Sequence, residues 1–75
     1  MSRLPALTPR EVIRALERAG FYEARTSGGH CILTKPGHPT RDVVIPVHKR
    51  DLKRGTLHAI IKQAGLSVEE FLSFL

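Results

Sequence analysis

The chain has 75 residues, 41% of them hydrophobic, so residues 1–75 read as one domain with room for a single sheet face covered by two or three helices. Twelve Lys and Arg against seven Asp and Glu leave a net charge of +5, which favours a polyanion or an acidic protein partner over a cationic one. One cysteine excludes an intrachain disulfide, and no apolar stretch is long enough for a signal peptide or a membrane span, so we expect a cytoplasmic protein without a membrane partner.

Thr8-Pro9-Arg10-Glu11 marks a helix start: Thr8 can cap, Pro9 suits the first helical position, and Glu11 completes a capping box. Leu7 and Val12 fit a hydrophobic staple, and Val12, Ile13, Leu16 and Ala19 form one buried stripe that Gly20 ends. Phe21 to Thr26 reads as a strand and Ser27-Gly28-Gly29 as a turn. His30 to Lys35 is a second strand, with Cys31 and Leu33 on one face and His30, Ile32 and Thr34 on the other; the pattern leaves open which face is buried. A Pro-rich loop over residues 36–40 leads to a third strand, Arg41 to Val47. Lys49 to Gly55 is a basic connection, after which Leu57, Ile60, Ile61 and Ala64 give a second helical stripe. Ser67 with Glu70 predicts another capping box, on a short terminal helix that docks through Phe71, Leu72 and Leu75. The order is α-β-β-β-α(-α). We expect an α+β, two-layer fold, with a three-stranded antiparallel sheet and helices on one face.

His30 is the first residue leaving a Gly-Gly turn, a place where an imidazole could act as general acid or base on a large substrate. The alternative is an ordinary surface histidine. His48 ends the third strand beside Lys49 and Arg50 and could be a second catalytic group, a phosphate contact or a plain strand-end residue. His38, in the loop, and His58, off the buried stripe of its helix, read as solvated. The histidines and Cys31 lack the paired spacing of a zinc site, and Cys31 points away from His30, which weakens it as a nucleophile.

Lys49, Arg50, Lys53 and Arg54 form a cluster suited to phosphates. Arg10, Arg14 and Arg18 recur every four residues, as either a phosphate rail or the solvated face of the first helix. Gly55-Thr56 could present free N–H groups to a phosphate or simply start the second helix.

The stretches "VIRALERAGF", "RTSGGHCIL" and "VIPVHKRDLKRGTLHAIIKQAGLSVEEFLSFL" together resemble the HicA (YcfA-like) toxin family, in order and over nearly the whole chain. The resemblance implies a fold like a double-stranded-RNA-binding domain. It implies a toxin of a type II toxin-antitoxin system: a metal-independent endoribonuclease that cleaves mRNA, needs no cofactor and is silenced by a HicB-type antitoxin. His30 matches the family's catalytic histidine and Gly28 the glycine before it. Gly29 stands where serine is usual, which removes a hydroxyl and is expected to loosen the turn. Arg25 and Gly28 join Lys49, Arg50, Lys53 and Arg54 as the expected RNA-binding set. Two other functions compete with cleavage: a non-catalytic RNA-binding module, and a degenerate toxin kept for protein interaction.

Overall fold

A computed structural model of the chain describes residues 4–37 and 40–75; His38 lies outside them. Helix α1 spans Pro9–Arg18. The Thr8 hydroxyl accepts from the Glu11 N–H at 3.3 Å, and the Glu11 carboxylate accepts from the Thr8 N–H at 2.9 Å, which closes the capping box. Gly20, at φ +104°, reverses the chain after Ala19 and lets Phe21 enter the core at 3% exposure.

Three strands follow: β1 (Tyr22–Ser27), β2 (His30–Lys35) and β3 (Arg41–Pro46). They pair antiparallel in the order β1-β2-β3. The register decides which face is buried. Cys31 lies opposite Ile45 and Leu33 opposite Val43, and all four are buried beneath the helices. His30 opposite Pro46, Ile32 opposite Val44, and Thr34 opposite Asp42 occupy the other face. There Tyr22 and Val44 are exposed, and no helix lies over them among the described residues. Arg25 lies opposite Ile32, and a bulge at Ala24 then shifts β1 by one residue, which places Glu23 opposite Leu33 and Tyr22 opposite Thr34.

Helix α2 (Arg54–Gln63) buries Leu57, Ile60 and Ile61, and α3 (Val68–Leu72) buries Phe71. The Ser67–Glu70 capping box is present. Residues of all three helices and of β2 and β3 join one apolar cluster. Leu33 is fully buried at its centre, so Leu33→Ala would cost about 2–5 kcal/mol.

Three boundaries differ from the sequence reading. Phe21 leaves the sheet for the core, so β1 runs from Tyr22 to Ser27. The third strand stops at Pro46; Val47 is 45% exposed, although its N–H still reaches the Gly29 carbonyl at 2.7 Å. Helix α2 starts at Arg54, capped by Lys53 without a side-chain hydrogen bond, so Gly55 and Thr56 lie within its first turn. Among the described residues no helix is long and apolar enough to cross a membrane.

Candidate nucleic-acid interface

Ser27 pairs directly with His30, so Gly28 and Gly29 are the whole loop of the β1–β2 hairpin. Both have positive φ, +56° and +83°, as a type I′ turn requires. A Cβ at either position would meet nothing within 4 Å, so the backbone, not crowding, calls for glycine. The turn is tight: Gly29 suits it and does not loosen it.

His30 is exposed at the start of β2, held between Ser27 on β1 and Pro46 on β3. Arg25, also exposed, lies two residues before Ser27 on the same face. The pair is therefore diagonal across the ladder, a relationship that sets residues about 7–8 Å apart with their Cβ atoms somewhat closer. A guanidinium has length enough to cover that gap.

Cys31 points the other way, into the core, at 2% exposure. Burial pushes its thiol pKa above the ordinary value, with the nearby Glu23 and Glu17 carboxylates adding to the rise. A thiol in that setting stays protonated and packs as a small apolar group.

His48 follows Pro46, the strand partner of His30, by two residues. It lines a groove on the helix side of the sheet end, with Arg10, Arg14, Val47 and Lys49. The basic run after β3 is also divided. Leu52 is buried at 6% exposure and its N–H donates to the Leu7 carbonyl at 2.8 Å, which pins the middle of the run. Lys49 and Arg50 stay with the end of β3, while Lys53 and Arg54 move to the start of α2. The first turn of α2 carries no acidic residue, so these cations add to the positive end of its dipole.

The arginine stripe of α1 divides as well. Arg18 donates to the Phe74 carbonyl at 2.8 Å and fastens α1 to the end of the chain, whereas Arg10 and Arg14 face the groove. His58 is exposed on α2. The sequence reading missed Arg10 and Arg14 as neighbours of His48. It also missed Tyr22 as a companion of His30, Ile32 and Thr34; only the register beyond the bulge at Ala24 reveals that. Among the described residues no three of His, Cys, Asp and Glu gather as a metal-binding group.

The model for HicA toxin of bacterial toxin-antitoxin matches residues 9–66. The chain belongs to the HicA toxin family. The match runs from the first residue of α1 to Leu66, just before α3, and so contains the hairpin, both halves of the basic run and all of the groove lining of this HicA toxin except Thr8. No curated protein matches the chain.

Proposed function

We propose that this HicA-family toxin is an endoribonuclease that cleaves mRNA with His30 as general base, and that it acts in the cytoplasm under the control of a HicB-type antitoxin. The observation that carries the reading is an exposed imidazole and an exposed guanidinium, His30 and Arg25, on neighbouring strands of one open sheet face.

RNA supplies its own nucleophile. His30 takes the proton from a 2′-hydroxyl, and the freed oxygen attacks the adjacent phosphorus. The P–O2′ bond forms as the P–O5′ bond breaks, leaving a 2′,3′-cyclic phosphate. The departing 5′-oxygen takes a proton back from the imidazolium or from water. Negative charge builds on the non-bridging oxygens, where Arg25 and the N–H groups of the Gly28–Gly29 turn lie close by. Because the nucleophile is internal to the substrate, this route needs no metal-activated water. Lys49, Arg50, Lys53, Arg54 and His48 hold the phosphates on either side, through interactions that weaken with salt.

The decisive experiment uses purified, chelator-treated toxin and a long RNA. His30→Ala removes an exposed side chain, so stability should change by no more than about 0.5 kcal/mol. Cleavage should fall by at least the roughly 10²-fold that a general base contributes. Full cleavage by a well-folded His30→Ala protein would refute the assignment; RNA binding without cleavage by the unaltered protein would make it a binding module.

A further inference from the structure

The groove on the helix side of the sheet end is a second surface, and it is built differently from the His30 face. It measures about 690 Å³ and lies between α1 and the segment leaving β3. Its floor is apolar: half-buried Ile13 from α1 and 45%-exposed Val47 from beyond β3. Arg10 and Arg14 on α1 and Lys49 after β3 supply cations, while Glu17 and Glu23 supply carboxylates. Arg10 and Glu17 are seven residues apart on one helix, about 10 Å along its axis, so the lining is basic towards the start of α1 and acidic towards its end.

We infer that this groove is the seat of a segment of the partner antitoxin, with acidic residues meeting Arg10, Arg14 and Lys49, an aliphatic side chain on Ile13 and Val47, and a basic or hydrogen-bond-donating residue towards Glu17 and Glu23. This rests on the antitoxin part of the function proposed above, not on its catalytic part. Three observations select a peptide over an RNA strand. A polyphosphate carries one sign of charge along its length and would meet the two glutamates, whereas a peptide can reverse sign within three or four residues. The apolar floor offers a surface that phosphates and sugars cannot use. No Phe, Tyr or Trp among the described residues lines the groove to stack single-stranded bases. An occupied groove also covers His48 and Lys49, so its occupant competes with RNA there without touching His30.

The test measures binding of the full-length toxin to the purified product of the reading frame next to its gene, by titration calorimetry. Arg14→Glu and Lys62→Glu change net charge equally, but only Arg14 lines the groove; Lys62 is exposed on α2. Arg14→Glu should weaken the complex about tenfold or more, as removal of an interfacial charge pair does, and Lys62→Glu should stay within about threefold. Val47→Gln, on a different element, should also weaken it, and covers the case of an Arg14→Glu protein that melts early. RNA cleavage by Arg14→Glu should be unchanged. Equal effects of Arg14→Glu and Lys62→Glu, with Val47→Gln silent, would overturn the groove inference alone. Loss of RNA affinity in Arg14→Glu with partner binding intact would give the groove to RNA. Failure of the unaltered toxin to bind the neighbouring product would remove the antitoxin reading, and the groove inference with it.

Discussion

Arg25 stands diagonally across the β1–β2 ladder from His30, on the sheet face left open by the helices. The relationship is set by the two-residue turn, which pairs Ser27 with His30 and so Arg25 with Ile32; beyond Arg25 the bulge at Ala24 shifts the strand by one residue and brings Tyr22 to the same face. Without that extra residue Tyr22 would point into the helix layer.

If Arg25 stabilises charge on the phosphate during attack, Arg25→Gln should lower kcat and leave the fold alone. Removing one such donor costs about 10²–10³ in an enclosed site. This face is open to water, which weakens the interaction, and we expect about a tenfold loss at saturating RNA. Single-turnover cleavage at saturating RNA separates this from weaker binding. A change confined to KM would make Arg25 a binding residue only.

Gly29→Ser restores the residue usual in the family, but it does so at φ +83°. A left-handed conformation costs an L-residue roughly 1–2 kcal/mol. For a domain of this size, about 1 kcal/mol lowers Tm by 4–8 °C. Cleavage should survive, since the backbone that holds His30 is paired on both sides. A melt unchanged from the parent would mean that the serine turn adopts another geometry.

Much of this was legible in the chain. Thr8, Pro9 and Glu11 announce α1, Ser67 and Glu70 announce α3, and both capping boxes form. The order of elements and the start of β2 at His30 follow from local signals of the same kind. What stayed hidden depends on register and packing. Alternation alone could not say whether Cys31 or His30 faced the core; pairing with Ile45 and Val43 decides it. The run from Lys49 to Arg54 looks like one patch in sequence, and buried Leu52 makes it two. His48 is linked to β3, yet it lies with α1, because the strand ends at Pro46 and the chain turns towards the helices.

That division gives the salt dependence of the proposed RNA binding a definite form. Removing one cation that neutralises a phosphate of a single strand should flatten the log-affinity against log-salt line by about 0.7. Neutralising Lys49 and Arg50, or Lys53 and Arg54, should each reduce the slope, and the two reductions should add, since the pairs lie on either side of an anchored residue. Filter binding across a range of salt concentrations measures this. A pair whose removal leaves the slope unchanged does not touch RNA.

The two capping boxes predict how the fold responds to acid. Glu11 accepts hydrogen bonds from the Thr8 backbone and hydroxyl, and Glu70 accepts them from Ser67; both carboxyls are held below the ordinary value of 4.5. In the unfolded chain these bonds are gone, so the folded state binds protons less readily. The charged carboxylates therefore stabilise the fold above pH 4.5, and that contribution disappears as pH falls through the lower folded values. Glutamine mimics the protonated acid and keeps the shape of the box. Glu11→Gln, Glu70→Gln and the double variant should therefore melt below the parent at about pH 6 and together with it near pH 3. Thr8→Ala behaves differently: it removes the acceptor for the Glu11 N–H, at a cost of about 1 kcal/mol that persists at both pH values. Thermal melts of the four variants at the two pH values check the scheme. A gap between Glu11→Gln and the parent that stays open in acid would show that the carboxylate acts through something other than its charge.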